Sequence, residues 1–502
     1  MLLTTIILLL LLIFTICFYF KRKYFTLSRS VPGLSPHFLL GNLLQTGCLT
    51  GESYINIQAN LKKKYGDIYQ YWLGPYRYYV FNKAEHAQHV FNNKHIYDLP
   101  NLTFGTQFPL GLVSIKGATY RRHARIILPM FKKANVVQHL DIIIDCTDKL
   151  IHLWKNQNEQ QENKLNTNII QQSKNLLLDI ISLVAFHYDL EAIEGNNQHY
   201  DSKELINAIN IFTDAYDTLV KSVGIPIIIM KLYLKFNKKY QHALKILKQY
   251  TDLIIEQELQ RQQHDKPKNV IALLVSSLQN NEIRERKEPE EEKQGLSRAE
   301  LFDELLVLIL AGFATTSTAL SWFIYFMSKH PRVQDLIKKE LRENNITCDT
   351  YITIQLLDRL TYVDCVLKEL FRYAPIVNSA RRSLTQDDVI DGVQLKKGDS
   401  VLIPLYNLHM DKRYWKLNPQ EFIPERFNGE DKNHHPFALL TFGGGHRQCA
   451  GQDLARLELK VIITRLMQNV TFTDGGPDTN SGGQRQSLTN TPKHLAVYVH
   501  ID

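Results

Sequence analysis

Cysteine is scarce in this chain: six residues out of 502, at positions 17, 48, 146, 348, 365 and 449, with no framework spacing. Such a set cannot staple a disulfide scaffold and suits a reducing compartment, where five of the six are most simply free thiols. Dense basic clusters interleaved with aromatics are missing too, and a net charge of +8 is mild for this length. That argues against a nucleic-acid protein. No Cys-x-x-Cys pair occurs, so a zinc site on His446 and Cys449 lacks its second ligand pair, and the His434-His435 doublet does not supply one. No basic residue precedes the apolar N-terminal run and no small-residue cleavage site follows it, which disfavours a cleaved signal peptide.

What is present starts at that run. Leu2 to Phe20 carries no charge and is almost wholly Leu, Ile and Phe; as a helix it extends about 28 Å, enough to span a bilayer. Lys21, Arg22 and Lys23 follow at once, so the positive-inside rule leaves the bulk of the chain in the cytosol. There the Asn-x-Thr sequons at Asn101, Asn345 and Asn469 stay bare. Val31-Pro32-Gly33-Leu34-Ser35-Pro36 predicts a rigid, non-helical hinge. The remainder holds enough apolar residues for one large globular unit or two modest ones.

The densest chemistry lies at Phe442 to Gly451, reading Phe-Gly-Gly-Gly-His-Arg-Gln-Cys-Ala-Gly. Gly443, Gly444 and Gly445 permit backbone dihedrals closed to other residues and let the main chain approach a flat ligand. Arg447 keeps its charge and presents a planar fork, so it suits a haem propionate and would lower the pKa of a nearby thiolate. Cys449 is the candidate iron ligand, since a cysteine thiolate is a known axial ligand of haem and pushes electron density onto the metal. Standing alone, the loop would read as a buried cysteine in a glycine turn. However, Phe442, Gly445, Arg447, Cys449 and Gly451 fill every fixed position of F-x-x-G-x-R-x-C-x-G. The stretch resembles the cysteine loop of the cytochrome P-450 superfamily, the haem-thiolate monooxygenases.

Upstream motifs fall in the order this family shows, from Pro32 to the end of the chain. Ser297-Arg-Ala-Glu300 is a capping box that starts a helix, apolar almost without break to Met327 and stopped by Pro331. Inside it stands Ala311-Gly312-Phe313-Ala314-Thr315-Thr316. A glycine beside small residues lets a flat cofactor approach, and the Thr315 hydroxyl can bond the Ala311 carbonyl and bend the helix. The resemblance makes this the oxygen-binding groove, with Thr315 helping to deliver protons. Ala314 replaces the family's usual acid there, leaving Thr315, Thr316, Ser317 and water for the relay. Ala311 replaces a Glu that some fatty-acid hydroxylases of the family use to link haem covalently, so that linkage is not expected. Glu369-Leu-Phe-Arg372, with Arg426 of Pro424-Glu-Arg-Phe427, is implied to be a buried ion-paired lock. Arg382 is implied to hold the second propionate, with Arg381 the less favoured choice. Tyr120 stands where the family has a Trp that contacts a propionate; Ala124 replaces its Arg, and Arg125 lies roughly 100° round the helix from it. Asn101 to Gly117 would be a loop over the distal pocket, and Ile376 and Val377 would look down on the haem. Gly224 to Met230 would lie beside the substrate entrance or be plain core, and Asn280 to Gln294 reads as a solvated linker.

The implied fold is mainly α with small β-sheets (α+β), the cytochrome P-450 fold with an N-terminal transmembrane helix. The implied divisions are 1–23 anchor and basic stop, 24–41 hinge and 42–502 haem-thiolate domain. The implied cofactor is haem b, with NADPH acting indirectly. Expected partners are an NADPH-dependent flavoprotein reductase docking at Arg121, Arg122 and the surface behind Cys449, cytochrome b5 as a second donor, membrane lipid and a hydrophobic substrate. Insertion of one oxygen atom into a fatty acid, sterol or foreign lipophile at the endoplasmic reticulum is the leading expectation. Rearrangement or dehydration of a lipid hydroperoxide without external electrons, and haem binding without catalysis, are the alternatives.

Overall fold

The computed structural model describes residues 2–28, 30–47, 52–100, 111–161, 164–194, 200–221, 227–261, 270–278, 288–486 and 488–502. Helix α1 (Leu2–Tyr24) keeps its apolar side chains exposed and packs against nothing over Thr5–Arg22, as a membrane-crossing helix does. Two further helices are long and apolar enough to cross a membrane, but both are mostly buried inside the fold. Their hydrophobicity serves the core.

The hinge is non-helical and also fastened: Gln70 donates its amide to the Pro32 carbonyl at 2.8 Å and its side-chain Nε2 to Val31 at 2.6 Å. Helix α2 (Tyr54–Tyr65), capped by Ser53, leads into the predicted hairpin, β1 (Ile68–Leu73) and β2 (Tyr76–Phe81), which turns at Gly74 with φ of 55°. After helix α3 (Ala84–Asn92) come β3 (Tyr97–Asp98) and the basic helix α4 (Gly117–Ile127). Far along the chain, β4 (Ser379–Leu384) and β7 (Ser400–Pro404) complete a five-stranded sheet in the order β1-β2-β7-β4-β3, with β2 and β7 parallel. Between them, β5 (Asp388–Ile390) and β6 (Val393–Leu395) form a hairpin around Asp391-Gly392. Strand β7 ends at Pro404, where Leu405–His409 turns helical and hands its first amide to the Asn378 carbonyl.

The larger body is helical. Helices α5 (Ile169–Phe186), α6 (Tyr200–Lys221) and α7 (Ile227–Phe236) precede α8 (Arg298–Lys329), which runs through the main core. Its capping box is formed as read: the Ser297 hydroxyl accepts from Glu300 N, and Glu300 accepts from Ser297 N at 2.9 Å. Helices α9 (Thr361–Tyr373) and α10 (Gln452–Asn469) flank the cysteine loop. Beyond them lies a hairpin, Gly482–Gln486 with Asn490–His494, and the final strand Val497–Ile501 pairs with Val470–Asp474. The segments 101–110, 224–226 and 280–287, parts of three predicted loops, lie outside the described residues. Glu290, in the rest of the expected solvated linker, is instead tied to Arg122.

Candidate active site

The cysteine loop is shaped by what it rests on. Gly443 and Gly445 have φ of 70° and 72°, the left-handed region that favours glycine. A β-carbon on Gly445 would lie 2.4 Å from the Phe91 carbonyl of α3. The close approach these glycines permit is therefore to a neighbouring helix end. Gly451, at the N-terminus of α10, faces open space. The Phe442 ring packs edge-on against Phe371 of α9 at 5.6 Å and lies under the Arg456 guanidinium. The loop is thus clamped between α3, α9 and α10, and Cys449 N closes it on the Phe442 carbonyl at 3.0 Å.

Cys449 is open to a water-sized probe, yet burial pushes its thiol above the ordinary value, with only the Gly451 backbone pulling the other way. Arg447 does not lower this pKa as the sequence predicts, because it turns from the sulfur to Asp98, at 3.1 Å, and to the Ile115 carbonyl. Its guanidinium lies flat on the Tyr120 ring at 3.3 Å. Tyr120 in turn donates to the His446 carbonyl at 2.9 Å, so here its hydroxyl supports the loop.

Arg382 stacks on Phe91 and donates to the Gly444 carbonyl. Burial and the charge of Arg447 bring its pKa down to about 10. Of the two guanidinium groups only that of Arg447 pairs with Asp98, whose carboxyl is held below its usual value, against its own burial, by the Leu99 amide, Arg447 and Lys116. Arg447 Nη1 is buried with no hydrogen-bond partner among the described residues. Such a donor set suits further anionic oxygens, and haem propionates would supply them. Lys116, at the start of α4, adds a cation the sequence reading missed. Ala124 is buried and Arg125 exposed, so Arg125 does not take over the absent arginine's place.

On α8 the Thr315 hydroxyl donates to Ala311 O at 2.8 Å, and both residues are accessible in the middle of a mostly buried helix. Gly312 does not open that face. A β-carbon there would meet Ile181 of α5 at 2.9 Å, so the glycine serves helix packing. Thr316 and Ser317 are buried, Thr316 against the carboxyl of Glu458 on α10 and Ser317 against the Ala314 carbonyl. No hydrogen bond joins Thr315 to the cysteine loop; the two are carried by different elements.

The basic helix also differs from expectation. Arg122 is buried and ion-paired to Glu290 at 2.5 Å and Glu300 at 2.6 Å, and His123 Nδ1 meets the buried Glu304 at 2.6 Å. Arg121 and Arg125 alone of its arginines face solvent. The expected lock is present: Glu369 bonds Arg372 at 2.7 Å and Arg426 at 3.1 Å, all three fully buried, with Asp431 as a second partner of Arg426.

A glycine-rich loop presenting an accessible cysteine, with Arg447 paired to Asp98 and Arg382 bonded to Gly444, defines a haem-thiolate class of protein. Residues 31–497 match the family model described as Cytochrome P450, and the chain belongs to that family, whose members are typically monooxygenases. Among its relatives, cytochrome P450 3A16 of Mus musculus is 26% identical over 73% of this chain and 71% of its own length. Cytochrome P450 4V2 of Mus musculus is 26% identical over 80% and 76%, and cytochrome P450 3A41 of the same species 26% over 88% and 86%.

Proposed function

We propose that this P450 is a membrane-anchored monooxygenase that places one atom of O₂ into a C–H bond of a hydrophobic substrate. The other atom leaves as water, with two electrons from NADPH through a flavoprotein reductase and two protons. The observation that carries this reading is the cysteine loop, where an accessible Cys449 follows the buried Arg447, paired with Asp98, and the buried Arg382 donates to the Gly444 carbonyl. Haem, when bound, supplies the oxygen chemistry. Cys449 would hold its iron, and Arg447, Arg382 and Lys116 would hold its propionates.

Thr315 acts at a stated atom. Its hydroxyl hydrogen is committed to Ala311 O, so the free lone pairs of Oγ1 face the groove and accept a hydrogen bond there. With Ala314 in place of an acid and Thr316 turned into the core, water at Thr315 carries the protons.

The reductase would dock behind Cys449, where a depression of about 530 Å³ is lined by Lys133, Lys368, Arg456 and Lys460 beside Phe442 and Gln448. The lining also holds Asp358, Asp364 and Asp453, with Asp364 paired to Lys460 at 2.8 Å; Arg121 and Arg125 are exposed on α4, and Arg122 takes no part. Helix α7 exposes Ile228, Ile229, Leu232 and Phe236 among lysines, and Leu39, Leu40 and Leu44 are also exposed. Such surfaces would rest on the cytosolic face of the endoplasmic reticulum membrane.

Reducing the purified protein and adding carbon monoxide tests this. A strongly red-shifted Soret band, lost in Cys449→Ala, is expected; a band where histidine-ligated haem absorbs overturns the reading. Consumption of NADPH with reductase and substrate separates oxygenation from hydroperoxide rearrangement.

A further inference from the structure

Helices α5, α6 and α8 and the helix Lys238–Arg261 pack around a cavity of about 40 Å³. Each gives it a buried leucine: Leu178, Leu205, Leu306 and Leu247. A space of this size has room for about three water-sized spheres, and well-packed interiors hold few such voids. The buried hydroxyls in its lining are committed. Ser182 donates to the Asp179 carbonyl at 2.9 Å and Thr251 to the Leu247 carbonyl at 2.8 Å, each within its own helix. A buried water needs several polar partners, whereas a void walled by aliphatic side chains stays dry and takes apolar guests. The half-buried Tyr188 and Tyr250 mark the side where the cavity nears the surface.

The cavity has a fixed relation to the groove at Ala311 and Thr315. At roughly 100° per residue, its α8 residues Leu305, Leu306 and Ile309 lie about 80–180° round the helix from Thr315. It therefore sits behind the groove. Gly312 lies about 60° from Thr315, between the two. The three atoms nearest to where its β-carbon would stand all belong to Ile181 of α5, at 2.9 to 3.7 Å. Ile181 also lines the cavity. One aliphatic side chain thus touches the cavity on one side and abuts the Gly312 backbone on the other.

We propose that this cavity is a way station for dioxygen, the gas that the monooxygenase reaction consumes, and that Ile181 is the partition between it and the groove. This rests on the monooxygenase reading above. A lipophilic substrate is too large for the space. A diatomic apolar molecule fits it and gives up no hydrogen bond on leaving water. Oxygen held behind α8 reaches the groove past one side chain, so the cavity raises kcat/KM for oxygen without touching the organic substrate.

The test uses the haem-loaded, full-length protein, with xenon as the structural probe and the oxygen dependence of NADPH-driven product formation as the kinetic one. Crystals pressurised with xenon are expected to show an atom between Leu178, Leu247 and Leu306. Leu306→Phe, which fills the space, is expected to lose that atom and to lower kcat/KM for oxygen about threefold or more, with the substrate-induced Soret shift unchanged. Ile181→Ala thins the partition and is expected to keep the xenon and to leave kcat/KM for oxygen equal or higher. Ordered water in the cavity, or no xenon there, overturns the proposal. So does a Leu306→Phe protein that loses xenon but keeps the wild-type kcat/KM for oxygen, or an Ile181→Ala protein in which that value falls. Each sample is also reduced under carbon monoxide. A wild-type protein without the red-shifted band removes the monooxygenase reading and this proposal with it, whereas the band without xenon removes only the way station. If Leu306→Phe does not retain the band, the wild-type xenon map and Ile181→Ala decide.

Discussion

Glu458 shows how much one side chain can carry unseen. It sits on α10 with almost no exposure, and burial pushes its carboxyl up to about 8, against the pull of a hydrogen bond with Thr316. Between the ordinary value of 4.5 and about 8, the unfolded chain releases a proton that the folded chain keeps. Stability contributed by this group is complete below that window and falls as pH rises through it. Glu458→Gln keeps a hydrogen-bonding amide without the titration, so it is expected to be more stable than wild type at pH 9 and equal at pH 4, read by thermal melting. At Thr315 the expectation is kinetic: Thr315→Ala should bind substrate normally but spend most NADPH without product, measured as product formed per NADPH consumed. Cys449, Arg447 and Thr315 could be singled out from the sequence because their motifs have fixed spacing. Asp98 and Lys116 could not. Asp98 meets Arg447 across 349 positions, and no local pattern announces such a partner.

Among the elements, local chemistry was the more readable part. The box at Ser297, the Gly74 turn and the alternation of β1 and β2 each follow from adjacent residues. Which way a helix faces depends on its neighbours, and there the reading of Gly312 failed: the position that looked open to a cofactor is filled by Ile181 of α5. Gly312→Val is accordingly expected to destabilise the fold, and adding Ile181→Ala to relieve much of the loss, a coupling measurable by a double-mutant cycle. The lock between α9 and the segment around Arg426 was legible from the order of its motifs. Glu369→Ala strands the buried guanidinium of Arg372, while Arg426 keeps Asp431, and should cost about 3–5 kcal/mol in denaturant unfolding. Helix α4 is joined to α8 by His123 and Glu304. Although burial opposes it, the carboxylates of Glu300 and Glu304 hold the His123 pKa above 6.5. This pair stabilises fully below pH 6.5 and is lost as pH rises through the raised value.

For the whole molecule, the anchor and the body make separable contributions. Deleting residues 2–23 should leave the carbon monoxide band intact and reduce sedimentation with vesicles without abolishing it, because α7 and the leucines near the hinge remain apolar and exposed. Equal sedimentation with and without the anchor would count against α1 as the main attachment. The overall architecture was readable because long apolar helices and one unmistakable loop order the chain. The small helix after Pro404 and the late hairpin escaped because short elements have too few residues to show a period. The paired arginines of the proximal loop carry a last consequence, for supply. Arg447 and Arg382 crowd positive charge around one Asp98, so the ligand that neutralises them favours the folded state by mass action. The cell's haem concentration thereby becomes a folding variable: haem-starved cells should accumulate less of this protein, and the shortfall should appear in abundance before it appears in activity per molecule.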